Sequence, residues 1–512
     1  MKSINYIIIS ILSLVFMQSC TKLDEKLYTQ VPVKEFGKDQ DQINALVGSI
    51  YSTLKLHCID WDTYLTMDGL SSDMIAIPGF KGGDWSEPMY KETMRLNWNA
   101  TSSGFNATYF EPQGNIALCN QIYYQIDINK GIQPALKDQI LAEIRGVRAF
   151  WYYILIDHFG NVPIVTDFLD KSQPETKSRA EVYKFIVQEL TDIKDKLRSD
   201  VATPASYGKM TRGAAYTLLA KMYLNAQVWN PAEGPKWKEC IDACDSVIAM
   251  PYQLENWEIN FVTNNQISKE AIFSAVFKAG GSGRQNMIAI NTLHYFDPIA
   301  LGLNISPWNG IAANPSYVKE FDTTDLRYKA SFLIGPMRNP AGDILITPHG
   351  RPLIHTVDMV LNEVGADGWG WINQEEGARI KKWQFEPGLN TSMENDFHIF
   401  RLADVYLMKA EAIVRDGGSN SEATNLVNSI RVRGFSDPSK LFASVTLDDI
   451  YKERRFELAW EGFTRQDMIR YDKFLLPRSP FKPYLSDAKY LLYAIPQAAI
   501  DANNKLLQNP GY

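Results

Sequence analysis

MTRGAAYTLLAKMYLNA, residues 210–226, decides how the rest of the chain is read. Thr211 is a good helix N-cap, and after it Ala215, Leu218, Leu219, Met222, Tyr223 and Ala226 recur in steps of three and one, the apolar stripe of an amphipathic helix. Asn230, Pro231, Gly234 and Pro235 then break the helix. Trp237, Cys240, Ile241, Cys244, Val247 and Ile248 restart the same spacing, which predicts a helix-turn-helix unit. Leu402, Ala403, Tyr406 and Leu407 echo Leu219, Ala220, Tyr223 and Leu224, and Gly417 with Gly418 separates that run from another helix over 423–432. Two such pairs predict tetratricopeptide-like packing, in which small residues let neighbouring helices approach closely. Helices over roughly 138–158, 181–198 and 447–474 complete a mainly α chain.

Composition narrows the classes of function. The 512 residues are 45% hydrophobic and 22% charged, and 52 Lys+Arg against 59 Asp+Glu leave a net charge of −7. That is an ordinary globular balance, and a helical array can use the whole length as one unit. No Lys/Arg-rich run offers a counterion-release handle, so nucleic acid is not an expected partner. With 12 Trp, 25 Tyr and 24 Phe the chain holds too much aromatic surface to remain disordered.

The N-terminus reads as an address. Lys2 precedes a largely apolar stretch from Ile4 to Met17, too short for the roughly twenty residues that span a hydrocarbon core of ~30 Å, and so predicts a secretory signal over residues 1–19. Ser19 directly precedes Cys20, as a small residue does at bacterial lipoprotein cleavage sites, although Met17 and Gln18 depart from the usual pattern. Lipidation of Cys20, with a tether over 20–45, would hold the body at a membrane through its acyl chains alone, each buried methylene contributing ~0.8 kcal/mol. The alternative is ordinary signal cleavage nearby, leaving Cys20 a free thiol. Cys58, Cys119, Cys240 and Cys244 contain no CxxC pair; Cys240 and Cys244 lie one helical turn apart with Cβ vectors side by side, which predicts small core residues and no disulfide.

Catalytic signatures are absent: the sequence has no HExxH, GxSxG, GxGxxG or GxxxxGK[ST], and its six His are scattered. No metal and no cofactor are expected. His158, beside Phe159 at a helix end, reads as a packed or capping residue. Glu453, Glu457 and Glu461 recur one turn apart beside Arg454 and Arg455, the pattern of an internal ion network, whereas a glycosidase needs two acids flanking a cleft. Between Gly335 and Gly388, 13 of 54 residues are Gly or Pro, which predicts turns and short strands in a segment too aromatic to be a linker.

The segment EIRGVRAFWYYILIDHFGNVPIV at 143–165 resembles the conserved block of the SusD/RagB family of nutrient-binding outer-membrane lipoproteins. FRLADVYLMKAEAIVRDGG at 400–418, ATNLVNSIRVRG at 423–434, ERRFELAWEG at 453–462 and the terminal QNPGY are similar to further blocks in the same order. The resemblance implies a SusD-like fold, with tetratricopeptide-like helix pairs forming a right-handed superhelical scaffold. A single domain over 46–512 would place that scaffold at about 46–270 and 395–512, and a loop-rich ligand-face insertion at about 271–394. It implies a non-catalytic protein at the cell surface of the outer membrane that binds an oligosaccharide or polysaccharide and hands it to a SusC-like TonB-dependent transporter. The other readings are a helical-repeat scaffold for protein partners and, less favoured for want of an acid pair, a glycoside hydrolase. Arg145, Arg148, Arg454 and Glu461 fall in the matching blocks and are expected to hold helices together.

Sugar rings present flat C–H patches rimmed by hydroxyls, so a glycan face needs exposed aromatic rings with Asp, Asn or charged groups to pair the hydroxyls. Trp308, in NISPWNG ahead of a helix predicted to start near Pro315, stands where the family's starch-binding founder is similar and carries a ligand-stacking Trp. Trp85 sits in PGFKGGDWSEP, where five of eleven residues are Gly or Pro, and that loop adds Asp84 and Lys81. Tyr295 and Asn309 are candidate neighbours. The competing reading of Trp85 is a ring folded under its own loop; Trp369 and Trp371 form a second aromatic patch that either binds or packs. Trp98, Trp151 and Trp460 are expected in the core.

Overall fold

The structure is a computed structural model that describes residues 40–512 except positions 282 and 479. The expected signal, Cys20 and most of the expected tether lie outside the described residues. The longer helices are α1 (Gln40–Ser52), α2 (Tyr64–Ser71), α3 (Pro88–Arg95), α4 (Asn106–Asp127), α5 (Pro134–His158), α6 (Arg179–Ile193), α7 (Arg212–Leu224), α8 (Trp237–Ile248), α9 (Leu402–Arg415), α10 (Asn420–Arg431), α11 (Leu447–Glu457) and α12 (Thr464–Arg470). Their starts follow local chemistry. The Thr211 hydroxyl accepts the Ala214 N–H to cap α7, and Ser178 and Thr446 close capping boxes with Glu181 and Asp449. Among the described residues no helix is long and apolar enough to cross a membrane.

The two predicted hairpins are present, α7 against α8 and α9 against α10, and α9 also packs on α7, α8 and α11. The long α4–α5 pair continues onto α6. Strands β1 (Ile75–Ala76), β2 (Ala271–Ala275), β3 (Ala312–Ala313) and β4 (Phe397–Arg401) tie the loops to this frame. β2 and β4 pair antiparallel, with Phe397 opposite Ala275 and Arg401 opposite Ala271, and so close the neck of the segment between them. β1 and β3 pair antiparallel with Ile75 opposite Ala313, joining two loop regions far apart in sequence. Within the Gly/Pro-rich stretch, Gly335–Pro336 pairs with Ile354–His355, the short strands its composition predicts.

Trp98, Trp151 and Trp460 are buried, as expected, and the four described cysteines are buried free thiols. Many charges inside the frame are paired. Arg145 and Arg148 reach Glu189 at 2.7 and 2.6 Å, tying α5 to α6, and Arg454 reaches Asp404 and Asp467 at 2.9 and 2.8 Å, tying α11 to α9 and α12. Glu457 binds Arg401 at 2.6 Å, Arg433 at 2.7 Å and Arg327 at 3.0 Å; Glu453 binds Arg327 and Arg431 at 2.7 and 2.8 Å. Burial alone would raise the Glu457 pKa, but Arg433, Arg401, Arg327 and Lys382 hold it well below the carboxylate range.

One expected helix is two. The run predicted over 447–474 stops at Glu457 and resumes at Thr464. The buried Lys382 ammonium donates to the carbonyls of Glu457 and Ala459 at 2.9 and 2.8 Å, which satisfies chain-end acceptors that a continuous helix would use itself. Trp460 and Gly462 then take left-handed backbone with φ of 67° and 84°. That turn leaves Glu461 off the helix and pairs it with Lys382 and Arg401.

Candidate aromatic binding face

Aromatic side chains normally leave water, so the ones that do not are informative. Trp61, Tyr295 and Trp308 are 44%, 41% and 42% exposed. They share one hollow of about 610 Å³ with Gly83, Asp84, Trp85, Glu87 and Tyr90. That size lies within the range of about 300–1,000 Å³ typical of small-ligand sites.

The backbone fixes these rings. Trp85 follows a tight turn in which Phe80 N–H donates to Asp84 O at 2.9 Å and Gly83 N–H to Phe80 O at 3.1 Å. Gly82 and Gly83 both stand at φ 100°, a region open to glycine at little cost. Trp85 itself is at φ 55°, an outlier for a bulky residue, which persists only where surroundings over-determine it. Those surroundings are visible: its Nε1 donates to Trp308 O at 2.9 Å, and its ring lies so close to Gly310 that a Cβ there would come within 2.2 Å of Cε2 and Cζ2. The Trp308 strap is held in turn by the short helix Ile288–Thr292. Trp308 N–H donates to Ile290 O at 2.6 Å, and Gly310 and Ile311 N–H both donate to Asn291 O at 2.8 and 2.9 Å. Strand pair β1–β3 carries both loops, which explains how residues 85 and 308 meet.

Of the residues expected at the site, Trp308, Trp85, Tyr295 and Asp84 line this hollow together. Trp85 is half-buried and leans on Tyr90 at 5.7 Å between ring centroids; it packs against the 308–310 strap and is not tucked under its own loop. Asn309 and Lys81 are placed elsewhere. Asn309 is fully buried at φ 58°, with its Nδ2 donating to Gln374 O at 3.1 Å, so it shapes the turn beneath Trp308. Lys81 stands over the Trp371 ring, 4.9 Å from its centroid. Trp369 donates its Nε1 to Pro78 O at 3.2 Å and lines a neighbouring hollow of about 440 Å³ that shares Trp85 and Glu87 with the first.

Trp61, Tyr90 and Glu87 were not anticipated. Glu87 was within reach, three residues from Asp84 in the same loop; Trp61 lies in CIDWDTY between two acids, a polar flank unusual for a core Trp. Tyr90 gives no signal, since its fractional exposure is only 2% and it shows an edge to the hollow. Electrically the region is acidic. The Tyr90 pKa is raised by burial and further by Glu87, Asp62 and Asp60, and that of Tyr295 by burial and by Asp84. Arg284 serves three carboxylates, Asp60 at 3.2 Å, Asp62 at 3.0 Å and Glu111 at 3.4 Å.

The grouping of possible metal ligands Asp68, Asp157 and His158 lies buried in the scaffold. His158 Nε2 is 3.3 Å from Asp68, its Nδ1 is 2.8 Å from Ile154 O, and Arg465 is 3.6 Å from Asp157, so a guanidinium already supplies positive charge there. His158 thus fits its expected role as a packed residue at a helix end.

Known proteins share this architecture. The SusD family model matches residues 354–512. The starch-binding protein SusD of Bacteroides thetaiotaomicron is 25% identical over 488 residues, covering 85% of this chain and 81% of that one. A SusD-like protein of Formosa agariphila is 24% identical and covers 99% of each. Among solved structures, surface glycan-binding protein A of Bacteroides uniformis superposes with a TM-score of 0.75 at 19% identity, over 92% of this chain and 99% of that one. The protein of the same name from B. thetaiotaomicron, solved in complex with laminarihexaose, superposes at 0.73, with 19% identity over 92% and 99% of the two chains. Sequence blocks, a family model over residues 354–512 and a mainly helical fold agree in making this chain similar to the SusD family.

Proposed function

We propose that this protein is a non-catalytic surface lipoprotein, anchored to the outer membrane through Cys20, which captures an oligosaccharide or polysaccharide and passes it to a SusC-like TonB-dependent transporter. The observation that carries the glycan reading is the hollow itself: the exposed rings of Trp61, Tyr295 and Trp308, with Trp85 behind them, beside the carboxylates of Asp84 and Glu87. Rings of this kind stack on the C–H faces of sugars, each adding ~0.5–1.5 kcal/mol beyond area burial, while carboxylates accept from hydroxyls. Two or three stacks with several hydroxyl contacts support micromolar to millimolar affinity, which suffices for capture. A relative named for starch binding, and a fold neighbour holding laminarihexaose, support the same class of ligand.

Chemistry beyond binding has little support. The two acids of the hollow sit three residues apart on one loop, whereas glycoside hydrolysis uses acids on opposite sides of the bond. Glu453, Glu457 and Glu461 are consumed by buried ion pairs. Affinity electrophoresis of the chain from residue 21 against a polysaccharide panel tests the proposal: retardation by at least one polymer, weakened in Trp308→Ala and in Trp85→Ala, is the expected result. Retardation untouched by both substitutions would move the site elsewhere, and release of reducing ends would restore the hydrolase reading.

A further inference from the structure

We infer that the hollow takes a glycan without acidic groups and rejects uronate, sulfate and phosphate sugars; this rests on the glycan reading above and specifies its substrate class. The lining residues supply two carboxylates, Asp84 and Glu87, and no Lys or Arg. Trp61, which forms part of the wall, sits between Asp60 and Asp62, and these with Glu111 share the single guanidinium of Arg284. Lys81, Lys91 and Arg379 belong to the surroundings, and none of them lines the hollow. Lys81 stands over Trp371, and Lys91 pairs with Asp367. Arg379, whose charge acts on Tyr295, is fully buried and does not line the hollow: its Nη2 donates to Gln374 O at 2.8 Å, while Nε and Nη1 have no hydrogen-bond partner among the described residues.

An anionic sugar laid on these rings would lose water from its charge, meet carboxylates and find no fixed donor cation. A neutral sugar meets the same carboxylates as acceptors for adjacent hydroxyls, in charge-assisted hydrogen bonds. The arrangement therefore discriminates by repulsion as well as attraction.

The test compares matched polymers: soluble starch and laminarin, each against its own form oxidised at C6 to the uronate, by titration calorimetry. Ionic strengths of about 0.01 M and about 1 M set screening lengths of about 30 and 3 Å. For whichever neutral polymer binds, the oxidised form should bind at least about tenfold more weakly at low salt, with the gap narrowing at high salt. In the Asp84→Asn, Glu87→Gln double variant the ratio of oxidised to neutral affinity should rise several-fold. An oxidised form bound as tightly as its parent, with binding weakened in Trp308→Ala, overturns the inference and leaves the site standing. So does a gap that neither salt nor the double variant changes, since that gap would be steric. Binding indifferent to Trp308→Ala and Trp85→Ala overturns the reading of the site itself, and the inference with it.

Discussion

Trp460 and Trp85 make an instructive pair. Both take left-handed backbone, at φ 67° and 55°, and both donate an indole N–H to a distant carbonyl, Ser331 O at 3.1 Å and Trp308 O at 2.9 Å. In the scaffold the result is a fully buried ring, edge-on to Phe332 at 5.8 Å, in the turn that follows helix α11. On the loop face the same device props an aromatic wall open to water, beside carboxylates that line a hollow. Strain is used in one region to close the structure and in the other to hold a surface ready, and the two regions should fail differently when altered.

The largest effect belongs to the scaffold. Glu457→Gln leaves Arg401, Arg433 and Arg327 short of a counter-charge in the interior and should cost about 3–5 kcal/mol in chemical denaturation. A loss under about 1 kcal/mol would show that the network is not a fastener. Acid should act on the same network. Glu411, which burial would raise but Arg470 and Arg415 hold down at about 2, and Glu457, held lower still, have folded pKa values below their unfolded ones. Their contribution is therefore complete above the ordinary Glu value of about 4.3 and disappears as pH falls towards about 2. Asp396, pushed up to about 6 by burial, works the other way and gains its proton first. Tm should stay level or rise slightly from about pH 7 to 5 and fall steeply below about pH 4.5.

The loop face should lose binding with its fold intact. Gly310→Ala puts a Cβ into the Trp85 ring and should weaken glycan binding about tenfold, while Tm moves by only a few degrees. Equal binding would mean that the Trp85 pose does not matter. Trp308→Ala, which removes one stacking ring, should cost about 3- to 15-fold. Lys81→Ala should change affinity by less than about twofold, since that ammonium stands over Trp371; a larger loss would return Lys81 to the site.

Much of the scaffold was legible because its helices carry strong periodicity and caps, as in 211–226 with Thr211. Helix α4 was missed: Pro112 and Gly114 lie inside it, and polar residues interrupt its stripe, so only packing on α5 reveals it. The break at 458–463 carries one local signal, Gly462 in left-handed backbone, while the Lys382 ammonium that satisfies its carbonyls comes from about 75 positions away. Around the hollow, Trp85, Trp308, Tyr295 and Asp84 are readable as loop residues, and the structure brings them together. Asn309 was misplaced because a residue next to a binding Trp can equally turn inward, and its φ of 58° decides which. Trp61 and Tyr90 enter through tertiary contact alone: the Tyr90 hydroxyl donates to Trp61 O at 3.4 Å, and no spacing rule joins them to residue 308.

Titration calorimetry on the Trp85→Ala, Trp308→Ala double variant, with the polymer that retards the unaltered protein, bears most directly on the aromatic hollow as the glycan site. Affinity should fall by about 100-fold or to undetectable levels, with far-ultraviolet dichroism and Tm close to those of the parent. A double variant that stays folded and binds within about threefold of the parent would contradict the account.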